Sequence, residues 1–355
     1  MITKTIHIER VAKSNASSLE NLQLGFGTIH TDHMMLARYS NGAWDRGIIQ
    51  PFRNLSLSPF ALCFHYGQTV FEGLKAFRTI DGNVSIFRAD QNLKRMNKSL
   101  ERMGMPELPE DLWWNGLLSL IEEEATWIPD DPEASLYIRP FVIATEDKLG
   151  VKVSDEYYFM IVCSPVGPYY SQALEVKLEQ QYTRAAAGGT GAAKCGGNYG
   201  GSLYPFRKAK EEGFDQIIWT DAKTHAYIEE SGTMNIMFII GEELLTPALS
   251  DTILAGVTRA SLLQLARDKG MQVKEGDIHY QEIVSAIEAG KHVEAFGVGT
   301  AAVIAPIKSI TVGAQTYPTY HAEDARMFEL KQALLDIRLG NVDDTYQWNT
   351  VIKLG

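Results

Sequence analysis

The chain has 355 residues, of which 45% are hydrophobic, and its 33 basic and 44 acidic side chains give a formal net charge of −11. That length predicts two domains at roughly 150 residues each, and the apolar fraction suits a globular protein with full cores. The acidic balance, with no Lys/Arg-rich run, argues against a nucleic-acid partner.

Residues 1 to about 60 are polar and turn-rich, interrupted by Pro51 and Pro59. A helix is predicted at about 90–103, capped by Asp90, with Leu93, Met96, Leu100 and Met103 near a 3.6-residue period and Gly104 and Pro106 as its stop. A second helix, at about 110–126, turns Leu117, Leu118 and Ile121 inward and ends before Pro129 and Pro132. Two runs rich in aromatic and β-branched residues, Ser135 to Ala144 and Tyr157 to Val166, read as strands. The stretch Ser164 to Pro168 reads as a linker. It divides a small α/β domain (1–165) from a large domain (176–355), with residues 166–175 between them.

In the second half a strand is predicted near 174–182, then a glycine-rich stretch from Gly188 to Gly201 and a helix at about 202–212. A strand at 216–220 and a hairpin near 226–229 and 234–240 follow, then helices at about 257–269 and 281–289. A β-rich segment spans about 293–312, and the last helix is predicted at about 322–338. Strands and helices mix irregularly, so the expected class is α+β or mixed α/β in two domains.

Three scattered cysteines, Cys63, Cys163 and Cys195, form no Cys-x-x-Cys pair, and there is no His-Glu-x-x-His. These features predict a reducing compartment and no built-in metal site. No signal-peptide core or membrane-length apolar run is present, which predicts a cytoplasmic protein without a membrane partner.

The chemistry concentrates in Gly188-Gly189-Thr190-Gly191-Ala192-Ala193-Lys194-Cys195-Gly196-Gly197-Asn198-Tyr199-Gly200-Gly201. Dense glycine lets the backbone approach a ligand closely. A desolvated lysine amid small residues can attack a carbonyl to form an imine, which is what pyridoxal phosphate requires of its protein. Composition alone equally allows a flexible loop with a solvated lysine. A Walker A loop is excluded, because Ala193 and Cys195 stand where Gly and Ser/Thr belong. A formal dinucleotide fingerprint, Gly297-x-Gly299-x-x-Ala302, is followed by strand-like residues, so it reads as a tight turn able to present N–H groups to an anion.

Five motifs in order resemble the branched-chain amino-acid aminotransferases. They are Phe71-Glu72-Gly73-Leu74-Lys75-Ala76-Phe77, Ser135-Leu136-Tyr137-Ile138-Arg139-Pro140, Lys194-Cys195-Gly196-Gly197-Asn198-Tyr199, Glu229-Glu230-Ser231-Gly232-Thr233-Met234-Asn235 and Phe296-Gly297-Val298-Gly299-Thr300-Ala301. The spacing is closer to the eukaryotic-type branch, although Ala302 and Ala305 occupy the positions of that branch's redox Cys-x-x-Cys. The resemblance implies the two-domain fold-type IV architecture of class IV aminotransferases, a pyridoxal 5′-phosphate cofactor bound by the large domain, and a homodimer.

It also implies residue roles. Lys194 would carry the cofactor as a Schiff base and shuttle protons. Glu230 would pair with the pyridinium nitrogen, raising its pKa, and Tyr199 would bond the cofactor's 3′ oxygen. Arg88 would hold the phosphate, with Gly256, Val257 and Thr258 at a helix start and Thr300 completing the cradle; Thr233 belongs to the same cofactor set. Tyr137 and Arg139, two apart on a strand and so on one face, would meet the co-substrate's distal carboxylate. Thr300 and Ala301 would take the α-carboxylate. Tyr66, Phe71, Leu149, Val151 and Tyr169 would line the apolar walls, with Tyr66, Leu149 and Val151 coming from the neighbouring subunit. The implied activity is ping-pong transamination of L-leucine, L-isoleucine or L-valine with 2-oxoglutarate, giving L-glutamate. A D-amino-acid or aminodeoxychorismate enzyme of the same fold, a non-catalytic cofactor-binding protein and a dinucleotide oxidoreductase are the rival readings.

Overall fold

The computed structural model describes residues 6–16, 24–167 and 172–354. The chain forms two compact units. One comprises Met1–Tyr169, Ala193–Gly197 and Asp336–Gly355, the other Tyr170–Ala192 and Asn198–Leu335.

The first unit is built on a ten-stranded sheet. Its centre is the antiparallel pair Ser135–Ala144 and Tyr157–Val166, in register from Ser135 opposite Val166 to Ala144 opposite Tyr157. Beyond Ser135–Ala144 lie Leu74–Arg78, Val84–Phe87 and, at the edge, the C-terminal strand Asn349–Ile352. The short strand Thr69–Phe71 also pairs with Ser135–Ala144. Tyr157–Val166 pairs on its other side with His33–Ser40, a strand that the turn-rich reading of residues 1–60 does not anticipate.

The helix Ala89–Arg102 buries Leu93, Met96 and Leu100, as its periodicity predicts. Its N-cap, however, is Arg88, and Asp90 lies inside the first turn. An acid there suits the helix dipole without capping. The second helix, Glu110–Glu123, is followed by a 3-10 turn, Ala125–Trp127. Trp113 and Phe159, both fully buried, stack with ring centroids 6.3 Å apart in the core under the sheet.

The second unit holds a nine-stranded sheet. Leu174–Leu178 runs parallel to both Gln216–Thr220 and Val303–Val312. Val303–Val312 continues through Val293–Gly299 to Met234–Ile240, which pairs back onto Ile228–Ser231 and so onto Gln216–Thr220. Six strands therefore close on themselves. The predicted hairpin is present, with Glu230 opposite Asn235. The glycines at 297 and 299 lead into a turn between antiparallel strands, not into a helix. The helix expected at 202–212 starts earlier, spanning Gly196–Glu211. No helix among the described residues is long and apolar enough to cross a membrane.

Candidate active site

In the first unit, Lys194 is held from both sides through its main chain. Its N–H donates to Ser99 Oγ at 3.0 Å, and its carbonyl accepts from the Phe71 N–H at 3.0 Å. The next residue, Cys195, bridges to Val70 in the short strand that ends at Phe71. This anchoring leaves the half-buried lysine with Nζ 4.7 Å from the Phe71 ring centroid. The same ring carries the Arg139 guanidinium at 4.6 Å. Arg139 Nη2 donates to Tyr137 Oη at 3.0 Å, so the two-residue spacing does place both on one face of Ser135–Ala144. Arg139 Nε is buried without a hydrogen-bond partner among the described residues. Gly73 leaves room for them, because a Cβ there would lie 2.3 Å from Tyr137 Oη and force that side chain to shift. Lys194, Phe71, Tyr137 and Arg139 thus form one group: an apolar floor with two cations over it.

Sequence reasoning missed the layer beneath. Glu72 is wholly buried and accepts from Arg95 Nε at 2.7 Å, Arg95 Nη2 at 2.8 Å, Asn92 Nδ2 at 2.7 Å and the Gly73 N–H at 3.1 Å. Burial opposes its charge, but the Arg95 guanidinium, together with the Lys194 ammonium and the Asn92 amide, outweighs burial and holds the carboxyl below its usual range. Two signals could have found it. Glu72 is a charge inside an apolar run, and Asn92 and Arg95 are three apart on a helix.

Arg88 ends the strand Val84–Phe87 in a left-handed conformation, φ 50° and ψ 40°. Its guanidinium lies 5.1 Å from the Trp348 ring centroid. Tyr66, Leu149 and Val151 are 41%, 50% and 88% exposed. Within one chain they are surface residues, not walls. Tyr169 lies outside the described residues.

In the second unit, Glu230 is 3% exposed and ion-paired to Arg184 Nε at 3.0 Å. Its Oε1 accepts from the Leu254 N–H at 2.9 Å and from Asn235 Nδ2 at 3.3 Å. Asn235 Nδ2 also donates to the Leu254 carbonyl at 2.8 Å. A Cβ on Gly256 would fall 2.0 Å from Asn235 Oδ1, so a larger residue at the start of the helix Val257–Asp268 would displace the Asn235 amide from the Glu230 hairpin. Val257 and Thr258 are buried in its first turn, where backbone N–H groups have no intrahelical acceptor. The adjacent Glu229 is buried too. Burial pushes its carboxyl up, against a 2.6 Å hydrogen bond from Thr252 Oγ1. Of the two neighbouring glutamates, Glu230 is the one ion-paired to an arginine. Arg184 was missed by sequence reasoning, because it lies in an irregular segment and its partner is 46 positions away on the strand Ile228–Ser231.

Thr233 is exposed at the hairpin turn, and Thr300 and Ala301 occupy the turn before Val303–Val312. Tyr199 is half-buried in the first turns of Gly196–Glu211.

Residues 69–310 match the family described as amino-transferase class IV. The chain is 47% identical over 335 residues to branched-chain-amino-acid transaminase 1 of Bacillus subtilis, covering 93% of this chain and 94% of that protein. It is 41% identical over 334 residues to the branched-chain-amino-acid aminotransferase of Mycobacterium tuberculosis, covering 91% of each. Its fold is similar to the PLP-bound structure of the branched-chain amino acid aminotransferase from Thermobaculum terrenum, with a TM-score of 0.75 at 20% identity, covering 91% of this chain and 99% of that one. The chain therefore belongs to the class IV aminotransferases, within the branched-chain-amino-acid aminotransferase family.

Proposed function

We propose that this protein transfers the amino group of L-leucine, L-isoleucine or L-valine to 2-oxoglutarate, using pyridoxal 5′-phosphate attached at Lys194. The observation that carries the reading is the main-chain anchoring of Lys194, which holds its amine over the Phe71 ring beside the Tyr137–Arg139 pair. When bound, the cofactor supplies an aldehyde carbon for an amine and a ring that takes up the electron pair released at the substrate's Cα.

The residues fit that group. Glu230 is a carboxylate fixed by Arg184 and the Leu254 N–H, suited to a protonated ring nitrogen. Arg88, the helix start at Gly256, Val257 and Thr258, and the turn at Thr300 are donors suited to a phosphate. Tyr199 is assigned to the 3′ oxygen, and Thr233 accompanies Glu230 on its hairpin.

Lys194 Nζ would be the base that takes the proton from the substrate's Cα. Arg139, with Tyr137, binds the distal carboxylate of glutamate or 2-oxoglutarate. Thr300 and Ala301 bind the α-carboxylate through backbone N–H groups. Phe71 lines the aliphatic pocket with Tyr66, Leu149 and Val151 of the partner subunit, so the working form is a homodimer. The half-reactions alternate: amino acid in and 2-oxo acid out, then 2-oxoglutarate in and glutamate out.

The test is the visible absorption of the purified protein. L-leucine should convert the cofactor band, 2-oxoglutarate should restore it, and Lys194→Ala should abolish both changes. A band that ignores L-leucine but answers D-alanine would overturn the substrate. No band after incubation with pyridoxal phosphate would overturn the Lys194 assignment.

A further inference from the structure

The C-terminal strand brings an aromatic cluster onto Arg88. Asn349 lies opposite Phe87 in the antiparallel pair that Asn349–Ile352 makes with Val84–Phe87. This register sets Trp348 beside Arg88, whose backbone N–H donates to the Trp348 carbonyl at 2.7 Å. The guanidinium carbon lies 5.1 Å from the indole centroid.

Trp348 is itself fixed. Phe87 meets it edge-on at 5.6 Å and 84°, and Tyr346 stacks on it at 4.2 Å and 15°. The following residue, Asn349, is tied through its N–H to Asp344 Oδ2 at 2.7 Å and through Nδ2 to the Ile337 carbonyl at 2.6 Å. Behind this cluster, the buried Arg338 guanidinium sits 4.4 Å from the Phe87 centroid, with no hydrogen-bond partner for Nε or Nη1 among the described residues. Two cations therefore flank the Phe87–Trp348 pair.

A guanidinium over an aromatic face directs its N–H fork outward in its own plane, the orientation in which it meets an oxyanion. A non-glycine residue at φ 50° also needs its surroundings to hold it there. We propose that Trp348 is a positioning residue for Arg88, so that the C-terminal strand sets the grip on the cofactor's phosphate. The inference rests on the assignment of Arg88 to that phosphate.

The experiment compares Trp348→Phe, Trp348→Leu and Arg88→Ala in the full chain. It measures dissociation constants for pyridoxal phosphate and for pyridoxal, which lacks the phosphate. Trp348→Leu keeps apolar bulk but removes the π face. It should weaken pyridoxal phosphate about tenfold, in line with the loss of one desolvated cation–π contact, and leave pyridoxal nearly unchanged. Trp348→Phe should retain most of the phosphate preference. Equal weakening of both ligands by Trp348→Leu, or no weakening, overturns the proposal. If Arg88→Ala loses the phosphate preference while Trp348→Leu keeps it, only the role of Trp348 falls. If Arg88→Ala keeps the preference, the Arg88 assignment falls and the proposal with it.

Discussion

Glu72 and Arg95 form a buried ion pair whose side chains are 0% and 10% exposed. Removing one partner leaves the other charge uncompensated away from water, so Glu72→Gln should destabilise the protein by about 3–5 kcal/mol in chemical denaturation. The carboxyl is held below its ordinary value of 4.5, so the folded state binds fewer protons than the unfolded chain near that pH. The pair's contribution is full above about 4.5 and is lost as pH falls through the lower folded value. Urea midpoints for the parent should fall as the pH is lowered below about 4.5, and those of Glu72→Gln should fall less. One position away, Gly73→Ala would press a methyl against Tyr137 Oη and push the Tyr137–Arg139 pair aside. We expect the KM for 2-oxoglutarate to rise about tenfold, the loss of one charge-assisted hydrogen bond, with the KM for L-leucine moving far less. An equal rise in both would separate Arg139 from the distal carboxylate. At this scale strand geometry made it legible that Tyr137 and Arg139 share one face, whereas their place in a site was read from the resemblance of their motif. The pairings Glu72–Arg95 and Glu230–Arg184 were not legible. Each joins elements whose packing the local pattern does not encode.

The hairpin that carries Glu230 is tied to its preceding loop by Asp221. This carboxylate accepts backbone N–H bonds from Thr224 at 2.7 Å and from Ala226 and Tyr227 at 2.9 Å. Burial works against its charge, and these N–H groups outweigh burial and hold the carboxyl far below its ordinary range. Asp221→Ala should cost about 1.5–3 kcal/mol, the usual effect of losing hydrogen bonds to a charged group, and should loosen Glu230 enough to weaken cofactor binding. Hydrogen exchange along 221–231 would check it; unchanged protection would show that the loop does not brace the hairpin. Element prediction worked where one face is buried, as in the helix Ala89–Arg102. It failed for His33–Ser40, whose first five residues are all buried, so no alternation marks the strand. It also failed at the start of Gly196–Glu211, where glycines argue for a loop. There Asn198 ties the first turn to Thr190 through both Oδ1 and Nδ2, a local constraint that overrides propensity.

The division of the whole chain depends on contacts that no local window contains. The hydrogen bond from Ser85 Oγ to the Arg338 carbonyl spans 253 residues, and with the edge strand Asn349–Ile352 it brings the C-terminal segment into the first unit. The surface of that unit carries a second long-range feature. The segments around residues 58–66 and 146–153 are joined by Leu62 N–H to the Glu146 carbonyl at 3.3 Å and by Ser58 Oγ to Asp147 Oδ1 at 2.6 Å. Together they expose Phe60 at 50%, Phe64 at 60%, Tyr66 at 41%, Leu149 at 50% and Val151 at 88%. Large apolar side chains grouped in this way suit a surface that another chain covers. The proposed homodimer supplies the cover, because Tyr66, Leu149 and Val151 then serve the neighbouring subunit's pocket. Val151→Asp should place a charge in that interface, shift the protein toward monomer in light scattering, and lower kcat/KM for L-leucine about tenfold or more. Its thermal midpoint at low protein concentration should stay near that of the parent monomer, since an 88% exposed side chain contributes little to the fold of one chain. A variant that stays dimeric and fully active would remove Val151 from the interface. A monomer that keeps full activity would show that one chain completes its own pocket, and the assignment of Tyr66, Leu149 and Val151 to the partner would fall.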